Sequence, residues 1–207
     1  MPVDRLLVLH GLRLKGFAEA GGVATLFGLD EDDVNLELKD LAGEGLVLRR
    51  DGRVSGWSLT SDGRVCEAEL LADELERSGA RAAIEAAYDR FQDVNGELLD
   101  VCTAWQLKSV DGKQAINDHA DVTYDAETIR RLGKVHVAAA PVVADLGRAL
   151  PRFGRYGDRL ANALERVESG DTEWFTKPLL DSYHTVWFEL HEDLLSTLAL
   201  QRGSEGR

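Results

Sequence analysis

The 207-residue chain has few cysteines, no long apolar run and no recognisable targeting segment. Its two cysteines, Cys66 and Cys102, offer neither a CxxC metal motif nor a disulfide framework, which favours a reducing cytoplasm. No apolar stretch approaches the ~20 residues that span a bilayer. The start of the chain is too short and too polar for a secretory signal. We therefore expect a cytoplasmic protein without a membrane partner.

Motifs that mark enzymes are missing as well. The sequence contains no nucleophile elbow, no glycine-rich phosphate loop and no paired-carboxylate motif. It also lacks internal repeats and low-complexity linkers, and its length fits two modest domains. Catalysis is therefore the least favoured class of function.

Positive charge is scarce, since the formal net charge is −13 with 29% charged residues. Acidity at this level argues against unspecific attraction to nucleic acid or anionic membranes. It does not exclude a local basic surface.

The first 70 residues carry the signals of three helices, a hairpin and a fourth helix. Gly16 and Gly28 end the first two helices, Asp30 caps the third, and Thr60 caps the fourth. The stretches "LVLRR" and "VSGWSLT" indicate two strands joined by a tight turn at "DGR". The predicted helices cover residues 3–15, 18–27 and 61–79, and the third runs from its cap Asp30 to the break at Gly43 and Gly45.

This order, with a capped helix that begins "LTSDGR", resembles the winged-helix domains of MarR- and PadR-type regulators. The resemblance covers about 70 residues and implies a DNA-binding transcriptional regulator. The predicted contacts with DNA phosphates are Lys39 on the third helix and Arg49, Arg50 and Arg53 in the hairpin. The alternative is that these arginines are only solvated turn charges.

The third helix conflicts with DNA binding, because affinity for DNA comes from cations that neutralise phosphates. Residues 1–70 hold 13 acidic against 8 basic residues. A reading helix places its N-terminal part in the major groove, and one or two acids there are explained by the helix dipole. This helix has seven: Asp30, Glu31, Asp32, Asp33, Glu37, Asp40 and Glu44. A winged shape with a non-DNA role is therefore the alternative.

Beyond residue 79 we find no strand pattern and predict an all-helical bundle. Long helices are expected over residues 80–109, 125–150 (with a kink at Pro141), 151–170 and 177–201. The predicted organisation is thus mainly α-helical. It comprises a winged helix-turn-helix domain at residues 1–78, a helical ligand-binding and dimerisation domain at 79–202, and a disordered tail at 203–207.

Five arginines of the helical domain fall on one helical stripe. Guanidinium groups suit carboxylates and phosphates because they form two parallel hydrogen bonds. The stripe therefore indicates an anion site, with pairing to acids on neighbouring helices as the structural alternative. Its members are Arg148, Arg152, Arg155, Arg159 and Arg166.

Histidines of the same domain raise the question of a metal. His184 and His191 lie seven residues apart, about 10.5 Å of helix rise, so they reach one zinc ion only with difficulty. His136 with one of them and Asp193 or Glu189 is more feasible. We therefore predict no bound cofactor, with zinc as the alternative, and assign the histidines to a ligand. The predicted ligand-binding residues are His136, Arg155, Arg159, His184, Trp187 and His191.

A third interpretation is general acid–base chemistry by His184, Tyr183 and His191 inside a wall of aromatic rings. Aromatic residues at helical spacing are more often core than active site, so this stays the least favoured option.

The segments "PRFGRYGDRL" and "DSYHTVWFELHEDLL" are similar to the helical part that trails some actinobacterial proteins of the pyruvate phosphate dikinase type. The resemblance implies an accessory or sensing module near phosphoenolpyruvate-handling enzymes, and it transfers no catalytic residue.

The sequence thus predicts a homodimeric, ligand-responsive transcriptional regulator controlled by a small anionic or aromatic molecule. The alternative is an accessory or small-molecule-binding protein that retains the winged shape.

Overall fold

The computed structural model describes residues 3–110 and 112–201 and is mainly helical, with small two-stranded antiparallel sheets. Its described residues form two compact units. The first contains residues 3–81 together with 191–201, and the second contains residues 82–190. Within the described ranges, no helix is both long and apolar enough to cross a membrane.

The first unit begins with three helices whose ends are set by local hydrogen bonds. The Asp4 carboxylate accepts from the Leu6 amide, and Asp30 accepts from the amides of Asp32 and Asp33. Gly28 ends the second helix at φ 67°, a left-handed backbone that glycine adopts without strain. The helices are α1 Arg5–Lys15, α2 Ala20–Phe27 and α3 Glu31–Gly43.

A hairpin and a fourth helix complete this part of the unit. Strands β1 Val47–Arg50 and β2 Gly56–Leu59 pair antiparallel, and Thr60 caps α4 Ser61–Ser78 by accepting from the Gly63 amide. A Cβ at Gly63 would lie 1.9 Å from a backbone oxygen, so only glycine fits there. The core beneath is apolar: Val8, Leu9, Leu12, Val34, Leu38, Leu41, Val47, Trp57 and Leu59.

The second unit is built on three long helices. They are α5 Arg81–Gln106, α6 Val122–Ala149 with Pro141 inside it, and α7 Arg155–Glu168. A short helix α8 Glu173–Thr176 and the helix α9 Tyr183–Thr197 follow. Residues 183–190 of α9 belong to this unit, and residues 191–197 belong to the first.

The prediction that the second domain is all-helical is wrong at residues 107–116. Strands β3 Leu107–Val110 and β4 Lys113–Ile116 form an antiparallel hairpin there. Each strand has only four residues, and β4 is mostly exposed, so no alternation of apolar and polar residues marked them. Gly112 at φ 77° provides the turn.

Helix boundaries near two prolines also differ from the prediction. The expected helix over 151–170 begins with a 3-10 turn, Pro151–Gly154, and only then continues as α7. The last helix starts at Tyr183 rather than 177, because Pro178 disfavours a helical backbone at Lys177, which is extended at ψ 121°. The predicted disordered tail lies outside the described residues.

A buried polar cluster lies at the centre of the first unit. His10 of α1 places Nδ1 2.8 Å from a Glu67 carboxylate oxygen on α4 and Nε2 3.1 Å from an Asp193 oxygen on α9. All three side chains are at most 1% exposed. At the edge of the cluster, Arg13 lies 3.3 Å from Glu192. The imidazole thus joins three helices that are distant in sequence.

We expect His10→Ala to lower the free energy of unfolding by about 3 kcal/mol, at the low end for breaking a buried ion pair. The imidazole is lost from between two buried carboxylates, but Glu67 keeps its contact with Arg13 at 3.7 Å and Asp193 keeps the Thr197 hydroxyl at 3.3 Å. Urea unfolding followed by circular dichroism measures the loss. Glu192→Gln, at the half-buried edge, is the matched control and should cost less than about 1 kcal/mol. Equal stability of His10→Ala and the wild type would contradict the assignment.

Candidate functional site

A pocket of about 320 Å³ lies between α6 and α7 in the second unit. It forms because small residues occupy one line of α6, with Ala140, Ala144 and Gly147 near Gly154 and Gly157. A Cβ added at Gly147 would lie 3.0 Å from the Gly154 Cα, so the backbones meet closely at that end. Elsewhere the short side chains leave the space open. Its size and apolar lining are typical of small-molecule sites.

Polar groups stand at both ends of this α6–α7 pocket. His136 and Arg148 belong to the same line of α6, twelve residues apart, so their backbones are separated by about 18 Å of helix rise. The pocket is therefore elongated, with different chemistry at its two ends.

At one end, His136 Nδ1 lies 3.3 Å from the hydroxyl oxygen of Tyr183. Burial lowers the pKa of His136, with a smaller opposing effect from the negative charge of Glu168. Burial also raises the pKa of Tyr183. This end therefore offers neutral hydrogen-bonding groups at pH 7, beside a carboxylate that repels anions.

At the other end, Arg148 pairs with Asp145, which also accepts a 2.6 Å hydrogen bond from Arg90. Two guanidinium groups share one carboxylate, so the local charge is positive. An anionic group is favoured here.

Two predicted ligand-binding residues have structural partners instead. Arg159 is largely buried and reaches Asp181 at 3.0 Å and Glu189 at 2.5 Å. Trp187 donates from Nε1 to Asn95 at 2.9 Å and is buried. Within the described structure, the polar groups of both side chains thus have hydrogen-bonding partners in the protein itself.

The remaining predicted ligand residues, Arg155, His184 and His191, do not line the α6–α7 pocket. Arg155 is exposed, His184 is half-buried with a pKa lowered by burial, and neither lines the pocket. His191 is buried and belongs to the first unit. Of the predicted set, His136 is the member that the pocket includes. This outcome could not be predicted, because helical spacing does not reveal which helices pack together to form a pocket.

The arginine stripe is likewise divided among other contacts. Arg152 is buried with its guanidinium 4.5 Å from the Phe153 ring centroid, and Arg166 lies 4.4 Å from the Trp174 ring. Arg155 is exposed, and Arg148 is the member of the stripe that lines the α6–α7 pocket.

The acid–base interpretation and the metal alternative find little geometric support. Tyr183 contacts His136 through its hydroxyl group, and neither His184 nor Tyr183 lines the α6–α7 pocket. In the part of the chain that the structure describes, no group of three or more His, Cys, Asp or Glu residues is arranged to hold a metal ion.

The predicted DNA-contacting cations of the first unit differ in their surroundings. Arg49 donates to Glu19 at 2.9 Å and to Asp51 at 3.0 Å, and the hydrogen bond with Glu19 is the main cause of its raised pKa. Lys39 lines the same hollow as Glu19 and Glu31. These two cations are thus surrounded by carboxylates.

Arg50 lies on the opposite face of the hairpin from Arg49. It lines a groove of about 480 Å³ together with Arg64 of α4, Val54, Ser58 and Phe17. Among the described residues, neither arginine takes part in a hydrogen bond or ion pair. The sequence reasoning missed Arg64, although its position four residues after the Thr60 cap places it next to the hairpin. We call this surface the hairpin groove.

Comparisons with protein families, with curated proteins and with solved structures found no match to this chain.

The lowered pKa values of His136 and His184 predict how stability depends on pH. At these two histidines the unfolded chain binds more protons than the folded protein below pH ~6.5, so their contribution to the free energy of unfolding should fall as the pH drops from 7.5 towards 5.5. His136→Asn should make this fall shallower, and adding His184→Asn should flatten it further. Urea unfolding at several pH values measures the slope. Identical slopes for wild type and the double variant would contradict the assignment.

Proposed function

We propose that this chain is a small-molecule-responsive regulatory protein of the cytoplasm. The second unit binds the effector in the α6–α7 pocket, and the first unit is a winged helix that contacts another macromolecule. The pocket carries the proposal, because it combines a concave apolar lining with His136 and Arg148 at its two ends. A ligand that binds one arrangement of the protein better than another shifts its population and so its output.

The pocket favours an elongated effector with an aromatic or other apolar body and one acidic group. The carboxylate lies at the Arg148 end, where two guanidiniums share Asp145. The apolar body lies along Ala140 and Ala144, and a polar atom at the far end bonds to His136. Glu168 near His136 disfavours the reverse orientation.

A pair of probes tests this assignment: 4-phenylbutyrate, and 4-phenylbutanol, which lacks the charge. We expect the acid to raise the melting temperature more than the alcohol, by a few degrees at a concentration of about 100 times Kd. Arg148→Ala should remove the difference between the two probes, and Ala144→Leu should fill the pocket and abolish both shifts. Ala138→Leu, exposed on α6 outside the pocket lining, is the control. A full shift in Ala144→Leu would refute the site.

The winged-helix assignment of the first unit is supported by its order of three helices, a two-stranded hairpin and a capped helix. In the transcriptional-regulator form of the proposal, a homodimer contacts DNA phosphates through the hairpin. Arg50 and Arg53 are the contacts favoured by the structure, because Arg49 already pairs with Glu19 and Asp51.

Duplex titration tests this form of the proposal. If Arg50 and Arg53 contact phosphates, replacing both by Ala should weaken binding and lower the slope of log K against log salt by about 0.9 for each contact. Arg49→Ala should change the slope much less. The titration uses a duplex from upstream of the gene at 50–200 mM salt. Absence of binding by the wild type at the lowest salt would exclude the DNA-binding form.

The second candidate is an accessory module that contacts protein rather than DNA. It is favoured by the surface of α3, where Asp32, Asp33 and Asp40 are exposed and would face phosphates. If the wild-type protein binds no DNA duplex but still binds an effector in the α6–α7 pocket, this candidate is favoured.

A further inference from the structure

The exposed face of α3 carries an acidic stripe around one leucine. Asp32, Leu36 and Asp40 follow each other at intervals of four residues, and Asp33 lies one turn before Leu36. Leu36 is 61% exposed. Among the described residues, the side chains of these aspartates form no ion pair. We call these four residues the α3 stripe. It thus presents unpaired carboxylates on both sides of an exposed apolar side chain.

The hairpin groove has the complementary composition. Arg50 and Arg64 supply two guanidinium groups without an ion pair among the described residues. Val54 in the groove is 71% exposed. Leu48 is 50% exposed and pairs with Ser58, another groove residue, across the hairpin. The groove therefore presents cations beside apolar side chains on a unit that is otherwise acidic.

We propose that the α3 stripe of one copy of this chain docks in the hairpin groove of a second copy. Leu36 would bury against Val54 and Leu48, while the aspartates meet Arg50 and Arg64. A phosphate backbone would satisfy the two arginines but leave the apolar side chains without a partner. The proposal rests on the proposed role of the first unit as the contact-making unit. It assigns Arg50 to a second copy of the chain in place of the DNA phosphates of the transcriptional-regulator form.

The same pair of surfaces can be used twice in a symmetric dimer, because each copy carries both a stripe and a groove. The net charge of −13 opposes association. At physiological salt this repulsion is screened beyond about 8 Å, whereas ion pairs in contact are screened less. Exposed ion pairs contribute little individually, so the dimer should be weak and salt-dependent.

Charge reversal of each surface in the full chain tests the proposal. Sedimentation equilibrium over 10 µM to 1 mM should show the wild type rising above the 22.8 kDa monomer. Arg50→Glu with Arg64→Glu should remain monomeric, since its groove repels the stripe. Asp32→Arg with Asp40→Arg should also remain monomeric. An equimolar mixture of the two variants should associate, because both contacts between unlike copies are then attractive.

Matched controls lie on α4 of the same unit, away from the groove. Arg77→Glu and Glu69→Lys are exposed and should associate as the wild type does. Melting temperatures verify that all variants are folded. A monomeric wild type at every concentration, a dimer that survives both reversals, or a mixture that stays monomeric would each overturn the proposal.

Two further measurements keep this result separate from the proposed function. Binding of 4-phenylbutyrate reports the α6–α7 pocket and should be unchanged by the reversals. If the groove reversal instead abolishes duplex binding and leaves self-association intact, the groove takes phosphate and the dimer proposal fails.

Discussion

The first unit depends on one imidazole held between two carboxylates. His10, Glu67 and Asp193 come from helices far apart in sequence, yet their side chains meet where water is excluded. Buried ionisable groups are tolerated only when they are paired, so the cluster fixes α1, α4 and the end of α9 in one arrangement. The first unit is therefore completed by Asp193, a residue that follows the hairpin by more than 100 positions in the sequence.

Much of the local structure could be predicted because its signals are local. Asp30, Thr60 and Gly28 mark helix ends through hydrogen bonds or a left-handed backbone, and they do so in the structure. The hairpin at residues 107–116 could not be predicted, because short exposed strands carry no alternation of apolar and polar residues. The pairing of Arg159 with Asp181 and Glu189 was equally hidden, since it depends on which helices pack together. The spacing of the arginines along the sequence predicted the stripe, but it could not identify the groups that these arginines contact.

The distribution of paired and unpaired charges connects the site to the proposals. Arg49 and Arg159 are satisfied by carboxylates within their own units, whereas Arg50 and Arg64 share a groove without such partners. A count of charges treats all four residues alike. The structure separates cations that stabilise the fold from cations that remain available for a partner.

The close approach of Gly147 and Gly154 has a consequence for which molecules the α6–α7 pocket can accept. With only hydrogen atoms between the two backbones, that end is already in contact and cannot narrow further. A Cβ at position 147 would require the backbone at Gly154 to shift by a few tenths of an ångström. The backbone at Gly147 and Gly154 thus limits the length of a bound ligand at one end of the pocket. The methyl groups of Ala140 and Ala144 limit its width. Changes in selectivity among related sequences should accordingly concentrate at those two alanines.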